Sequence, residues 1–167
     1  MMELPKRKIN RLSEYDYSTP NGYFITVCTK NRRNLFWNHV GAAIGRPQDA
    51  PLSPYGMIVD TAIQNIPRYY CAISVDHYVV MPNHIHLLLQ INTDDDGRPM
   101  AAPTISTVVN QMKGIVSKQI GDSIWQKGFY DHVVRSDADY RDIWTYIEGN
   151  PLNWAKDDLY AANSEGN

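Results

Sequence analysis

Apolar and β-branched residues gather into four short runs along the chain, as is typical of β-strands. The predicted strands cover residues 23–29, 73–81, 84–91 and 129–134. In the third strand, alternate positions are occupied by large aliphatic residues, which are Ile85, Leu87, Leu89 and Ile91. Alternate residues of a strand share one face of the sheet, so this face is expected to pack against helices. The short Pro82-Asn83 connection before it predicts an antiparallel hairpin.

Three further segments carry apolar residues at helical spacing. The first begins at Pro54 and is expected to stop at Pro67, since proline disfavours the helical interior. The second covers residues 105–120 and has Gly121 just past its end, where a left-handed cap residue is common. The third follows Ser136, which has the spacing of an N-terminal cap, and closes at residues 149–151.

The resulting order of strand, helix, strand, strand, helix, strand predicts an α+β fold of the ferredoxin-like, split βαβ type. Its four-stranded antiparallel sheet is expected to carry two helices on one face and to leave the other face free. A third, C-terminal helix follows the sheet. We predict a single domain over residues 21–160, preceded by a basic N-terminal arm (1–20) and followed by a frayed tail (161–167).

Composition excludes several classes of protein. The chain has 167 residues, of which 43% are hydrophobic and 20% charged, unlike disordered, collagen-like or coiled-coil sequences. Apolar runs such as 87–89 are far short of the ~20 residues that a membrane span needs. No apolar stretch follows the first charged residues, and the two cysteines are too few for a disulfide scaffold. These features predict a soluble cytoplasmic protein with no membrane partner.

The net charge of −2 hides an uneven distribution. Residues 1–40 carry seven Lys and Arg against three Asp and Glu, whereas residues 139–167 carry two against six. A local basic patch can bind phosphates whatever the overall charge. The candidate DNA contacts are Lys6, Arg7, Lys8, Arg32 and Arg33. On charge alone, a solvated terminus and one charged turn explain these residues equally well.

The sharpest local feature is the sequence His84-Ile85-His86. On a strand, the two imidazoles project from the same face, about 7 Å apart. Because Ile85 belongs to the apolar set that faces the helices, the histidines are expected on the uncovered face. Two such imidazoles can share one metal ion, although an isolated pair of strand histidines more often binds nothing.

Tyr146 is the second feature, because it lies off the apolar stripe of the third helix. Asn150 lies four residues later, so the two side chains project together. A phenol can act as a nucleophile, and an amide oxygen can bind a divalent metal. The alternative without a catalytic or metal-binding role is a surface tyrosine and an asparagine at the end of a helix.

Three segments together give a more specific indication. Residues 79–86, 125–132 and 146–151 read VVMPNHIH, WQKGFYDH and YIEGNP. In this order they resemble the REP-associated tyrosine transposases, which belong to the single-tyrosine HUH superfamily. That family has two histidines flanking a hydrophobic residue on one strand, and one tyrosine on a later helix. The resemblance extends over about residues 20–155.

The resemblance implies a role for each matching residue. His84 and His86 match the metal-binding pair, and Tyr146 matches the catalytic tyrosine. Asn150 matches a position where REP-associated members have asparagine and insertion-sequence relatives have glutamine, and it would be the third metal ligand. The implied activity is metal-dependent DNA strand cleavage and rejoining through a 5′-phosphotyrosine intermediate, with Mg²⁺ or Mn²⁺ as the cofactor. The implied partner is single-stranded or hairpin DNA, on which Trp125 would stack a base.

Two other functions remain open from the sequence. The chain could be a domesticated relative that recognises hairpin DNA without cutting it, or a small metal-dependent hydrolase with an incidental tyrosine. We expect a monomer or a homodimer, and the pattern does not indicate whether Tyr146 completes its own site or that of a partner.

Overall fold

The computed structural model describes residues 21–38, 52–98 and 103–159. Within them, the apolar runs form one antiparallel sheet with strand order β2-β3-β1-β4. The strands are β1 (Gly22–Cys28), β2 (Ile73–Val80), β3 (His84–Ile91) and β4 (Tyr130–Val133). This order places β1 and β3 at the centre, as the ferredoxin-like prediction requires. The predicted α+β fold is therefore confirmed.

The helices begin and end close to the predicted positions. They are α1 (Pro54–Gln64), α2 (Ile66–Tyr69), α3 (Ile105–Ile120) and α4 (Asp137–Gly149), with 3₁₀ turns at Lys30–Arg32 and Pro151–Lys156. The Ser136 hydroxyl accepts a hydrogen bond from the backbone of Asp139 and so caps α4. Gly121 ends α3 with φ of 84°, a left-handed conformation that glycine adopts without strain.

The prediction that Pro67 stops the first helix is wrong. Helix α1 already ends at Gln64, and Asn65 forms the turn into α2. Pro67 lies in the first turn of α2, where its missing N–H is not needed for a helical hydrogen bond. The chain therefore changes direction two residues earlier than the proline indicates.

One face of the sheet forms the main core, as the alternation in β3 predicts. Four β3 side chains on this face have no solvent exposure, namely Ile85, Leu87, Leu89 and Ile91. They belong to one apolar cluster with buried residues of α1 and α3, such as Val59 and Met112. Helices α1 and α3 therefore lie on the same side of the sheet.

The other face was expected to be free, and this expectation is wrong. Helix α4 contacts β2 and β3, and a separate apolar cluster forms between the helix and the sheet. Its buried members are Leu88, Val134, Ile143 and Ile147. The apolar stripe of α4 needs a surface to bury itself against, and the uncovered face of the sheet provides it. The histidine face is therefore opposite α1 and α3 but covered by α4.

Some predictions concern residues outside the described ranges. The arm at residues 1–20, with Lys6, Arg7 and Lys8, and the tail at residues 161–167 lie there. The division into arm, domain and tail therefore stays a prediction. In the described part of the chain, no helix combines the length and the apolar character needed to cross a membrane.

Candidate active site and metal centre

His84 and His86 are the first and third residues of β3, and they lie beside the end of β1. Both side chains are buried, with 0% and 3% exposure. Their ring centroids are 4.6 Å apart and their Nε2 atoms 3.1 Å apart. The rings are thus closer than the expected 7 Å, because rotation about the side-chain bonds turns them toward each other. Two imidazole nitrogens directed at one point are suited to a shared metal ion.

The remaining ring nitrogens are held by neighbouring side chains. His84 Nδ1 lies 2.8 Å from Asn83 Oδ1, and His86 Nδ1 lies 2.8 Å from Thr26 Oγ1. The Asn83 amide nitrogen donates to the carbonyl of Leu159, so its oxygen is free to accept from the His84 ring. His84 therefore carries its proton on Nδ1, which leaves Nε2 as a lone-pair donor.

Burial keeps both imidazoles neutral. Burial lowers the pKa of His84 to about 3, and the Asn150 side chain opposes this change. The pKa of His86 is also well below its usual value, because of burial and then of the neighbouring His84. A neutral imidazole is the form that binds a metal, so both rings are in the ligating state at neutral pH.

Asn150 brings an amide oxygen to the same place. It follows the last residue of α4 and is 4% exposed. Its Nδ2 donates to the Tyr146 carbonyl at 3.1 Å, which satisfies an otherwise unpaired carbonyl at the helix end. Its Oδ1 is buried and makes no hydrogen bond of good geometry, but the side chain is close enough to His84 to raise the pKa of that imidazole. A buried oxygen without a good hydrogen bond is costly, and a bound cation would satisfy it.

Asp157 belongs to the same cluster, although no pattern in the sequence points to it. Its Oδ2 lies 3.7 Å from His84 Nε2, and its side chain is 5% exposed. Donor atoms of His84, His86 and Asp157 all lie within 4.8 Å of one another. Burial is the main cause of the raised pKa of Asp157, while the backbone N–H of Leu159 opposes the rise. Two nitrogens and two oxygens are thus available for one divalent ion.

Trp154 covers this cluster from the C-terminal side. Its ring lies 6.0 Å from the His84 ring and 6.3 Å from the ring of Trp37. Trp154 belongs to the 3₁₀ turn Pro151–Lys156, which also leads the chain from Asn150 to Asp157. The short turn after α4 therefore covers the cluster with Trp154 and leads directly to Asp157.

Tyr146 lies beside the histidines but remains open to solvent. It is 50% exposed, and its ring centroid is 5.3 Å from that of His86. The ring also meets Phe24 edge-on at 6.0 Å, which restricts its orientation. An open pocket of about 470 Å³ is lined by Tyr146, Asn150 and Asp157 together with Lys156. A phosphodiester in this pocket would lie beside the phenol of Tyr146 and the side chains of Asn150 and Asp157.

His132, the last residue of the segment WQKGFYDH, could in principle serve as a general base, but its ring is held away from Tyr146. Its Nε2 lies 2.8 Å from the carboxylate of Asp139, in the first turn of α4. Tyr146 is seven residues further along that helix, which corresponds to about 10 Å at 1.5 Å per residue. The structure therefore does not bring His132 to the reacting group.

The predicted DNA contacts fall into two groups. Arg32 and Arg33 are exposed next to the site, since Asn83 Nδ2 lies 3.3 Å from the Arg32 carbonyl. Trp125, by contrast, is 5% exposed, and its ring packs 5.4 Å from that of Phe36. A base cannot stack on a ring that is already enclosed by the core. The structure thus corrects the expected role of Trp125 to one in packing.

Comparison with known proteins adds independent findings. No protein-family model matches the chain. An uncharacterized protein of Haemophilus influenzae is 31% identical over 174 residues, covering 92% of this chain and 93% of the relative. The REP-associated tyrosine transposase of Escherichia coli K12 is 26% identical over 149 residues, covering 87% of this chain and 77% of that protein.

A solved structure has the same fold. It is a REP-associated tyrosine transposase bound to a REP hairpin, with a TM-score of 0.61 and 21% sequence identity. The match covers 93% of this chain and 94% of the other. At this identity the likeness shows the fold alone.

Proposed function

Since the chain belongs to the family of REP-associated tyrosine transposases, we propose that it cuts and rejoins DNA through its own Tyr146. The family places the chain among DNA-processing enzymes of the transposase type. The observation that carries the finer proposal is the position of the Tyr146 ring, 5.3 Å from His86 in an open pocket. A half-exposed phenol beside a buried ligand cluster is suited to attack on a bound phosphate.

Four side chains support the proposal of a metal centre, namely His84, His86, Asn150 and Asp157. The mixed nitrogen and oxygen set accommodates Mg²⁺ or Mn²⁺, and the imidazoles favour Mn²⁺. When bound by these residues, such an ion would supply Lewis-acid chemistry that offsets the negative charge developing on the phosphate oxygens. Asn83 and Thr26 orient the two rings, so the ligands are arranged before the substrate arrives.

The proposed transesterification needs no external energy source. The Tyr146 oxygen forms a bond to phosphorus and loses its proton, while the bond to the 3′ oxygen breaks and that oxygen becomes a hydroxyl. The 5′-phosphotyrosine keeps the phosphodiester energy, and attack by a 3′-hydroxyl reverses the step. The enzyme can therefore rejoin a strand without ATP.

The proposed substrate is single-stranded or hairpin DNA. The solved relative was bound to a REP hairpin, and this chain shares its fold. Arg32 and Arg33 are exposed beside Asn83, so they can contact phosphates next to the site.

A denaturing gel with end-labelled hairpin DNA and Mn²⁺ tests the proposal. The wild type should give a protein–DNA adduct that survives denaturation. Tyr146→Phe should give none while still binding DNA, because only the phenolic oxygen is removed from a half-exposed ring. Tyr69→Phe is the matched control, since Tyr69 is 57% exposed on α2 and lies outside the site.

Each other outcome on the gel points to a different function. Binding without an adduct in the wild type would indicate a relative that recognises hairpins without cutting them. Cleavage without an adduct would indicate a hydrolase. An adduct that persists in Tyr146→Phe would assign the nucleophile to another residue. His84→Ala should lose Mn²⁺ binding and cleavage together, because one of the nitrogen ligands is gone.

A further inference from the structure

Two surfaces of opposite charge flank the end of the sheet where the histidines lie. The pocket beside Tyr146 is lined by three aspartates and a single lysine, which are Asp142, Asp157, Asp158 and Lys156. A second pocket, on the β1 side, is lined by Lys30, Asn31, Arg32, Gln126 and Lys127 and has a volume of about 680 Å³. A third pocket shares three of these residues and extends to Lys113. We call the second and third pockets together the basic groove.

Backbone hydrogen bonds build the floor of the basic groove. Residues 124–128 run alongside the end of β1, since the Gln126 N–H donates to the Cys28 carbonyl and the Lys30 N–H to the Ile124 carbonyl, both at 2.8 Å. The Lys113 ammonium reaches across from α3 and donates to the carbonyls of Gln126 and Gly128 at 2.9 and 3.0 Å. The groove is therefore held in shape before any ligand binds.

The turn that carries Arg32 has an unusual backbone. Asn31 and Arg32 have φ of 54° and 53°, in the left-handed region that residues with a Cβ atom rarely adopt. Such residues persist only where the surrounding structure holds them, as the contact between Asn83 and the Arg32 carbonyl does here. The arginine is thus presented from a fixed position, next to the residue that orients His84.

The basic groove lies close to the proposed metal centre. Strand β1 lies between β3, which carries His84, and residues 124–128, so the groove is about two strand spacings, or ~10 Å, from the histidines. The Cys28 thiol lies between the two regions. Burial is the main cause of its raised pKa, while Arg32 and Lys113 oppose that rise and Asp157 adds to it. Charges of the groove and of the metal centre therefore act on the same side chain.

We propose that the basic groove binds the sugar–phosphate backbone of the DNA strand that continues from the phosphodiester at Tyr146. This inference rests on the proposed function, because it assumes that a strand is held at the tyrosine. A strand leaving the site is repelled by the aspartates around Tyr146 and attracted by the cations on the β1 side. At 3.4 Å or more per nucleotide, ~10 Å corresponds to at most about three nucleotides of the same strand.

The cations of the groove would hold this strand without reading its sequence. Its charged groups are ammonium and guanidinium groups, which contact phosphates, and Trp125, its one aromatic lining residue, is buried in the core. Contacts to phosphates set the position of a nucleic acid but carry no base information. These cations would therefore set the position of the strand whatever its bases are.

The test measures how salt affects DNA binding by the double variant Lys30→Gln, Lys127→Gln. Both side chains are exposed, so their replacement should not disturb the fold. The probe is a fluorescent single-stranded oligonucleotide, titrated at several salt concentrations. Losing two phosphate contacts should reduce the slope of log K against log salt by about 1.4, since each contact to a single strand contributes about 0.7. At ~0.1 M salt this is a roughly 25-fold loss of affinity.

A charge-matched double variant, Arg68→Gln, Lys118→Gln, is the control. Both residues are exposed on α2 and α3, and neither lines the groove. This variant should keep the wild-type slope. Equal changes in slope for the two variants would overturn the proposal, because they would reflect net charge alone. An unchanged slope in Lys30→Gln, Lys127→Gln would overturn it directly.

A second probe identifies the form of the DNA. On a blunt hairpin without single-stranded flanks, the Lys30→Gln, Lys127→Gln variant should bind like the wild type. An equal loss on this probe would place the duplex stem in the groove and overturn the assignment to the flanking strand. The adduct assay on the wild type is read separately. Absence of an adduct together with the expected change in slope would refute the proposed chemistry and leave the groove in place.

Discussion

Helix α4 is held to the sheet by a small apolar cluster of its own, so its stability can be perturbed separately from that of the main core. The buried members of this cluster are Leu88, Val134, Ile143 and Ile147. Ile147 has no solvent exposure and lies three residues before Asn150, a proposed metal ligand. We therefore expect Ile147→Ala to loosen the attachment of α4 and, with it, the position of Asn150.

The magnitude follows from the three carbon atoms that the substitution removes. At about 0.8 kcal/mol for each buried carbon, the loss is roughly 2.4 kcal/mol, near the lower end of the 2–5 kcal/mol typical of Ile→Ala in cores. If α4 opens as a unit of its own, a change of 2.4 kcal/mol increases the open population about 60-fold. The amide hydrogens of α4 should then exchange about 60-fold faster.

Ile63→Ala is the matched control, because Ile63 is equally buried but belongs to the main core on α1. Both variants should lose a similar free energy of unfolding, measured by chemical denaturation. In both variants the amide hydrogens of β3 should exchange faster, because β3 opens only on global unfolding. In α4, however, exchange should accelerate in Ile147→Ala and stay at the wild-type rate in Ile63→Ala.

Equal acceleration of α4 exchange in the two variants would refute this reasoning, since α4 would then open only with the whole domain. Mn²⁺ provides a further check. If Asn150 binds the ion only when α4 is attached to the sheet, Mn²⁺ at 100 times its dissociation constant should slow α4 exchange in the wild type by about 100-fold. No slowing by Mn²⁺ would exclude Asn150 from the ligand set.

Two further predictions address the ligand set and the contacts of α4. Asp157→Asn should weaken Mn²⁺ binding by at least about 10-fold in calorimetry, because even residues that only support metal ligands contribute 10–100-fold. The control is Asp158→Asn, an exposed neighbour, which should leave Mn²⁺ binding unchanged. Equal effects of the two variants would contradict the assignment of Asp157 as a ligand. Burial and then the hydrogen bond to Asp76 raise the pKa of Tyr140 to about 12. The stability that this hydroxyl contributes is therefore fully present below the unfolded pKa of about 10 and is lost as the pH rises toward 12. Tyr140→Phe should lower the free energy of unfolding by ~1 kcal/mol at neutral pH, and this difference from the wild type should shrink between about pH 10 and 12. A deficit that stays constant in alkaline denaturation curves would contradict the prediction.

The elements of the fold were predictable from the sequence because they depend on local patterns. The alternation from Ile85 to Ile91 identifies both the strand and the face that meets α1 and α3, since residues two apart necessarily share a face. Helical spacing likewise separates Tyr146 from the apolar stripe of α4. These periodicities act within a few residues and need no knowledge of the rest of the chain.

The same periodicities predict which residues of the candidate site lie side by side within one element. His84 and His86 share a face because they are two residues apart, and Tyr146 and Asn150 lie on one side of a helix because they are four apart. That the two pairs meet requires α4 to cover the histidine face. The sequence analysis left that face open, because the stripe of α4 shows that it must be buried but not against which surface.

Only the tertiary structure could identify Asp157. It lies 73 residues after His84, and no spacing rule links an aspartate beyond a 3₁₀ turn to a strand that distant. The same holds for Lys113, which joins the basic groove through carbonyls of a loop 13 and 15 residues away. Trp125 shows the converse. Its aromatic ring suits base stacking, but burial against Phe36 prevents such stacking. Which side chains converge, and which become enclosed, depends on how distant elements pack, and local sequence patterns do not contain that information.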